Sequence, residues 1–214
     1  MEWFFDQGII IDVDGDYVLR TDGKSTDHRG WRHVLKLLQK NRPQRPVDGL
    51  IVTIPASDLA GPPETLNERV IKVGDKAAAL FDKLVAAQKI LGMRLPVYLL
   101  VTKCDHIRGF KSFCGELPKG LQQNILGWSN PYTLDAAYTS SWMDEAFENL
   151  YKNLYQTQIE VIVDGIQVHD SDDFFVFPTE FNTMLEPLRT YTNHLFKQSV
   201  YHESLYFRGL YFSG

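Results

Sequence analysis

The stretch that decides the fold reads Val97-Tyr98-Leu99-Leu100-Val101-Thr102-Lys103-Cys104-Asp105. It is an apolar run that ends in polar residues, as a buried strand of an α/β sheet does where it delivers side chains to the ligand edge. A second stretch, Ile9-Ile10-Ile11-Asp12-Val13-Asp14-Gly15, has the same form. Since the polar ends of parallel strands meet at one edge, we expect Asp12 and Asp105 to emerge at the same edge of one mostly parallel sheet.

These two strand endings resemble the nucleotide motifs of GTPases. The Asp-x-x-Gly of those proteins, which faces magnesium and the terminal phosphate, matches Asp12 and Gly15. Their [Asn/Thr]-Lys-x-Asp, which holds the guanine ring, matches Thr102, Lys103 and Asp105. A carboxylate there accepts both guanine N–H groups while the lysine stem packs over the ring. The resemblance makes these five residues the candidate nucleotide-binding residues.

Each motif also has a structural interpretation. Asp12 and Gly15 fit a turn in which the carboxylate caps a strand end and the glycine supplies an unusual φ angle. The longer motif from Thr102 to Asp105 fits a retained turn that binds nothing. No catalytic residue is indicated, because Cys104 and His106 have no third group to orient them as a nucleophile pair. Sequence alone leaves these interpretations open.

The phosphate-binding part of a GTPase is absent from these 214 residues. No Gly-x-x-x-x-Gly-Lys-[Ser/Thr] occurs, because Gly23-Lys24-Ser25 has Val18 where the first glycine is required. Asp12-x-Asp14-x-Asp16 opens like a calcium loop, yet Tyr17 stands where that loop needs glycine. The six histidines show no paired ligand spacing either, so we expect no metal site.

Composition excludes several classes of function. With 44% hydrophobic and 23% charged residues the chain can build one sizeable core. The net charge is -5 and the basic residues are scattered, so we expect no nucleic-acid partner. Two cysteines are typical of reduced thiols and not of a disulfide framework. No apolar run approaches the roughly 18 residues of a membrane span, so we expect the chain as given to be soluble.

Hydrophobic spacing predicts an α/β fold, with a mostly parallel sheet flanked by helices. We expect one domain over 1–214, with core sheet and helices over about 1–140 and a C-terminal helical and strand extension over about 141–214. The predicted elements are a hairpin over 2–13 turning at Gly8, a helix over 31–38, a strand over 50–54, a helix over 64–91, a strand over 95–105, a surface excursion over 109–131, a helix over 141–158, a strand or frayed helix end over 159–163, a strand over 174–178, a helix capped by Thr179, and a strand over 205–212.

Several blocks, in order along the chain, resemble the cytoplasmic domain of the IcmF/TssM proteins, which are inner-membrane subunits of the bacterial type VI secretion system. That domain has a GTPase-like fold and follows membrane helices. The resemblance therefore implies a GTPase-like domain of a membrane-anchored protein, at the cytoplasmic face of the bacterial inner membrane. The matching blocks are Trp3-Phe4-Phe5, Ile11-Asp12-x-x-Gly15-x-Tyr17, Trp31, Arg42-Pro43-x-x-Pro46-Val47-Asp48-Gly49, Leu99 to Asp105, Gly109-Phe110, and Tyr206-Phe207-Arg208-Gly209-Leu210-Tyr211-Phe212.

The resemblance implies a structural role, in which the domain docks a TssL-type membrane subunit and cytoplasmic baseplate components. The family commonly carries Asp-Thr-Ala-Gly-Arg-Tyr where this chain has Asp12-Val13-Asp14-Gly15-Asp16-Tyr17. The added carboxylates oppose a terminal phosphate, so we expect no cofactor and no catalysis for these residues. One alternative is an NTPase that binds GTP or ATP with magnesium through a phosphate loop upstream of Glu2. Another is a free small GTPase relative unrelated to secretion.

Overall fold

A computed structural model gives the architecture, and it describes residues 2–5, 8–15, 27–117, 119–122, 124–133, 135–166, 168–196, 198 and 203–214. The strands are β1 (Glu2–Phe5), β2 (Gly8–Ile11), β3 (Leu50–Pro55), β4 (Pro96–Thr102), β5 (Leu126–Ser129) and β6 (Tyr206–Phe212). The α-helices are α1 (Asp27–Asn41), α2 (Leu66–Leu91), α3 (Phe110–Gly115), α4 (Lys119–Gln122), α5 (Ser141–Val163), α6 (Ser171–Asn182) and α7 (Leu185–Leu195). Three 3-10 turns cover Ala56–Asp58, Pro63–Thr65 and Cys104–His106.

The main sheet has four strands in the order β3-β4-β6-β5. β3 and β4 run parallel, as do β4 and β6, whereas β5 runs antiparallel to β6 along one edge. The α2 helix is the crossover between the two parallel strands β3 and β4, and α1 and α7 pack against it. In β4, Val97, Leu99 and Val101 are fully buried, which makes this strand the centre of the core. The predicted α/β class with flanking helices is confirmed, and the sheet is mixed.

The hairpin of β1 and β2 forms a separate two-stranded sheet. The predicted hairpin is confirmed, but Gly8 pairs with Phe5 inside the ribbon and is not its left-handed turn residue; residues 6 and 7 lie outside the described part. Ile9, Ile10 and Ile11 are 63, 46 and 42% exposed, and β2 has no second neighbouring strand among the described residues. The prediction that the strand before Asp12 belongs to the main sheet is therefore wrong.

The predicted strand over 174–178 is wrong, because this segment lies in α6. Phe174, Phe177 and Phe181 recur at helical spacing and are all at most 1% exposed, while Phe175 points outward at 46%. Pro178 has no N–H to donate to the Phe174 carbonyl four residues earlier. A run of neighbouring aromatic residues is compatible with the two-residue period of a strand and with the 3.6-residue period of a helix. Here the burial pattern follows the helical period.

The excursion over 109–131 is more ordered than predicted. It holds the helices α3 and α4 and then β5, the antiparallel edge strand. Gly127 lets β5 approach β6 closely, since a Cβ at that position would lie 2.7 Å from the Leu210 carbonyl oxygen. Next to it, buried Trp128 stacks on Phe207 with ring centroids 6.0 Å apart. β5 is stabilised by contacts with a strand about 80 residues away in the sequence, and no local sequence pattern predicts it.

The remaining differences concern element ends and the C-terminal part. α5 continues to Val163 and Gly165 follows it at φ 69°, so the frayed-helix interpretation of 159–163 is closer than a strand. Thr179 lies inside α6 and does not cap α7. The last strand, β6, lies between β4 and β5 and is therefore an interior strand of the main sheet.

Candidate functional site

The Thr102–Asp105 motif forms a tight turn at the carboxyl end of β4. Thr102 is the last strand residue and pairs with Pro55 of β3. Lys103 then adopts the left-handed conformation, at φ 58° and ψ 35°, which costs a non-glycine residue about 1 kcal/mol. The turn is tied to the end of β6, because Cys104 N donates to Ser213 O at 3.0 Å and Ser213 N donates to Val101 O at 2.8 Å. The strand thus ends three residues earlier than predicted, and the motif residues lie together in the turn.

The Asp105 carboxylate is half-buried and faces two basic side chains of its own chain. Its Oδ2 lies 3.5 Å from Lys111 Nζ and 3.8 Å from His106 Nε2. Both basic side chains are largely exposed, and an exposed ion pair such as the one with Lys111 contributes at most about 1 kcal/mol. The backbone is also crowded on one side, since a Cβ at Gly214 would lie 2.9 Å from Asp105 N. Lys111 therefore partly neutralises the negative charge of the carboxylate that would accept guanine N–H groups.

Asp12 and Gly15 lie elsewhere in the architecture. Both are exposed, and they follow β2 of the separate hairpin. Among the described residues, a Cβ added to Gly15 would meet nothing within 4 Å, so none of them requires a glycine there by close approach. The structure does not place these two residues on the sheet that carries Thr102 and Asp105. Asp16, Tyr17, Val18 and the 23–25 segment lie outside the described residues.

Neither cysteine of the chain is suited to nucleophilic chemistry. Both Cys104 and Cys114 are free thiols. Burial raises the pKa of Cys104 to about 12 and that of Cys114 to about 11. The Cys104 thiol donates to Val101 O at 3.6 Å. Because the thiolate is the reactive form, these groups are inert near neutral pH.

An ion cluster centred on the buried Asp58 belongs to none of the predicted motifs. The 3-10 turn that ends in Asp58 contacts the Cys104–His106 turn at the same edge of the sheet. The Asp58 side chain is 9% exposed, and its two oxygens lie 2.8 Å from Lys72 Nζ and 2.6 Å from Lys76 Nζ. Burial alone would raise the pKa of Asp58, but the hydrogen bonds and charges of the two lysines outweigh it and hold the pKa below its usual value. Lys72 and Lys76 are four residues apart and therefore lie on the same face of α2. This spacing is the sequence signal that the two lysines could share one acceptor.

A small cavity lies at the opposite, amino-terminal end of β6. Its volume is about 10 Å³, which is room for one water. It is lined by Asn130, Tyr138, Trp142 and Phe207 among others, none of which belongs to the two nucleotide motifs. Ligand pockets are typically hundreds of Å³, so this cavity does not suit a nucleotide.

In the part of the chain that the structure describes, no three His, Cys, Asp or Glu side chains are grouped to hold a metal ion. None of the helices described there is long and apolar enough to cross a membrane.

Comparison with known proteins defines the class. A model of the IcmF-related N-terminal domain matches residues 24–214, and the chain belongs to this family. Among individual proteins it is similar to the type VI secretion system component TssM1 of Pseudomonas aeruginosa, with 28% identity over 203 residues. The aligned part covers 93% of this chain and 18% of that protein, so the chain spans about a fifth of the length of this relative. No solved structure matches the chain.

Proposed function

We propose that this chain is a non-catalytic docking domain of a type VI secretion subunit. Its family and its similarity to a secretion component support the assignment to that system. The observation that carries the non-catalytic role is the separation of the two motifs. Asp12 follows a strand of the β1–β2 ribbon, whereas Thr102 and Asp105 end a strand of the main sheet. A bound triphosphate needs both sets of contacts in one site, with a phosphate cradle between them.

The proposed place of the domain is the cytoplasmic face of the inner membrane, in a protein that carries its membrane anchors elsewhere. Its proposed partners are a TssL-type membrane subunit and cytoplasmic baseplate components. Two features support a docking role. The Thr102–Asp105 turn is fixed by bonds to the end of β6, and the chain presents exposed apolar side chains on β2 and on α5. Rigid elements with exposed apolar patches are the usual basis of protein contacts.

The second candidate is an NTPase, whose phosphate loop lies outside these 214 residues and which binds GTP or ATP with magnesium. One observation favours it, namely the left-handed Lys103 in the base-binding motif. Unfavourable backbone geometry at a non-glycine residue is concentrated at functional sites. In this alternative, the phosphate loop outside these 214 residues lies between Asp12 and Thr102 and completes the nucleotide site.

Calorimetry separates the two candidates. Titration of GTP and of ATP, each with magnesium, into this chain is expected to give no saturable heat at micromolar concentrations, since the backbone cradle and its lysine are absent from the sequence. Titration of the soluble part of a TssL-type subunit is expected to give saturable binding. Saturable nucleotide binding that Asp105→Ala abolishes would overturn the non-catalytic role. Absence of any binding by the TssL-type subunit would overturn that partner assignment.

A further inference from the structure

Helix α1 and the residues after it carry a concentration of positive charge. Basic residues are scattered over the chain as a whole, whose net charge is -5, but residues 28–47 contain six of the 22 and neither Asp nor Glu. A cluster of about four to eight Lys and Arg residues on an amphipathic helix is typical of contact with anionic lipid headgroups. The six residues are Arg29, Arg32, Lys36, Lys40, Arg42 and Arg45.

Helical geometry sorts the residues of α1 into a basic side and an apolar side. Arg32, Lys36 and Lys40 recur every four residues, so they form one row along the helix, and all three are exposed. On the other side, Leu35 is buried at 2% exposure and Leu38 packs against the core. α1 contacts α2, so its apolar side is used within the fold. We call the row of Arg32, Lys36 and Lys40 the α1 basic face.

Neighbouring carboxylates of the described ranges do not offset the charge of the α1 basic face. None of its three side chains forms an ion pair with a described Asp or Glu. After the helix, Asp48 Oδ2 lies 3.3 Å from Arg42 Nη2 and Asp48 Oδ1 lies 2.8 Å from Arg45 Nε, so this carboxylate balances one of the two arginines. The described part of the segment therefore presents a net positive charge to solvent.

An exposed leucine lies at the edge of the α1 basic face. Leu37 follows Lys36 directly and is 44% exposed. Basic side chains beside an exposed apolar one match the interfacial layer of a bilayer, where charged headgroups adjoin acyl chains. A nucleic acid would use the charges through its phosphates and leave the leucine without an apolar partner. The leucine therefore favours a lipid surface.

We propose that the α1 basic face binds the anionic headgroups of a membrane surface, with Leu37 reaching into the interfacial layer. α1 then lies on the bilayer, and neither it nor any other described helix is apolar enough to cross one. The choice of a membrane rests on the proposed place of the domain at the inner membrane, whereas the charged face is a property of this chain. Each basic residue near an anionic surface strengthens binding about fivefold, so the three together contribute about a hundredfold.

Co-sedimentation of this chain with lipid vesicles tests the membrane contact. Phosphatidylethanolamine vesicles that contain about 30% phosphatidylglycerol are expected to bind half of the protein at a lipid concentration on the order of 1 mM, in 50 mM NaCl. Vesicles of phosphatidylcholine alone are expected to bind at least tenfold more weakly. Raising NaCl to 500 mM is expected to release the protein, because salt screens exposed charges. No binding to the anionic vesicles at 5 mM lipid would overturn the proposal.

Two charge reversals of equal size test where on the chain the vesicles bind. Lys36→Glu is expected to weaken vesicle binding about 25-fold, because it replaces a positive charge of the face by a negative one. Lys152→Glu makes the same change at an exposed position of α5 and is expected to stay within about twofold of the unmodified chain. Leu37→Gln is expected to weaken binding about fivefold, since it removes the exposed apolar side chain. Equal effects of the two lysine variants would overturn the assignment to α1.

Two further titrations separate the membrane from other partners. A single-stranded RNA of 20 nucleotides that binds more tightly than the anionic vesicles, and whose binding Lys36→Glu abolishes, would overturn the membrane assignment in favour of a nucleic acid. The calorimetric titration with the TssL-type subunit is expected to be the same for Lys36→Glu and the unmodified chain, and its loss in this variant would assign the face to that protein instead. Failed vesicle binding with intact subunit binding overturns this inference alone, whereas the reverse result overturns the proposed partner alone.

Discussion

Gln158 Nε2 donates a 2.6 Å hydrogen bond to the Phe174 carbonyl oxygen, the acceptor that an N–H at position 178 would reach in an α-helix. Proline occupies position 178, so the side chain of α5 replaces the missing backbone donor of α6. Gln158 is 3% exposed and Phe174 fully buried, so no bulk solvent competes for this bond. The two helices are thereby joined at the point where α6 is locally weakest.

Gln158→Leu is expected to destabilise the fold by about 2 kcal/mol, because it leaves the Phe174 carbonyl buried without a partner. Urea unfolding at pH 7 measures the change. Pro178→Ala restores a backbone donor, so the double variant Gln158→Leu/Pro178→Ala is expected to recover most of the loss. Gln156→Leu, an exposed position on the same helix, is the control and is expected to change stability by less than about 0.5 kcal/mol. Equal losses for the two glutamine variants would contradict the replacement role of Gln158.

The Asp58 cluster predicts a specific pH dependence. Asp58→Asn is expected to lower the free energy of unfolding at pH 7 by about 2 kcal/mol, the range of hydrogen bonds to charged groups. Since the pKa of Asp58 is lowered in the folded state, its contribution is present above the unfolded value of about 3.8 and is lost as pH falls through the folded value. The difference between the unmodified chain and Asp58→Asn is therefore expected to shrink below about pH 4.

Urea unfolding across pH 3 to 7 measures this difference. The control is Asp75→Asn, which changes an exposed aspartate of α2 and is expected to have little effect at either end. A loss for Asp58→Asn that is the same at pH 3 and pH 7 would show that the two lysines do not act through the carboxylate charge.

The edge strand β5 depends on the close approach at Gly127. Gly127→Ala is expected to destabilise the chain by about 2 kcal/mol, because the new Cβ meets the Leu210 carbonyl oxygen at 2.7 Å and overlaps the Tyr211 ring. Gly115→Ala is the control at a helical position where a Cβ meets nothing within 4 Å, and it is expected to be neutral or stabilising by up to about 1 kcal/mol. Thermal unfolding compares them. A neutral Gly127→Ala would mean that β5 is not held against β6 as described.

Local sequence patterns predicted the elements whose signals are local. The α2 helix, with its left-handed Gly92 at the C-cap, and the strands β3, β4 and β6 follow from periodicity and turn residues. The failures arise where distant contacts decide. β5 is held by its pairing with β6, and α6 is helical because its aromatic side chains pack into a common core. β2 has no second neighbouring strand within the described ranges, although its apolar run suggested one.

In the candidate site too, local sequence predicts what adjacent residues form, and distant contacts decide the rest. Thr102, Lys103 and Asp105 are adjacent in sequence, so one turn brings them together as the motif suggests. Asp12 would lie near that turn only if its strand joined the same sheet. A local sequence pattern does not determine which sheet a strand joins. Asp58 meets lysines 14 and 18 residues away, and packing of α2 over the end of β3 sets that meeting.

The central claim, a docking role without nucleotide chemistry, is tested most directly by Asp105→Ala in the full-length protein. The variant replaces the chromosomal copy in a bacterium whose type VI secretion depends on it, at matched protein level, and killing of a competitor strain is measured. Secretion within about twofold of the unmodified strain is expected, because the change removes a carboxylate that is only half-buried and outside the packed core. Loss of secretion by a variant that remains folded and abundant would contradict the account and assign a working base pocket to the Thr102–Asp105 turn.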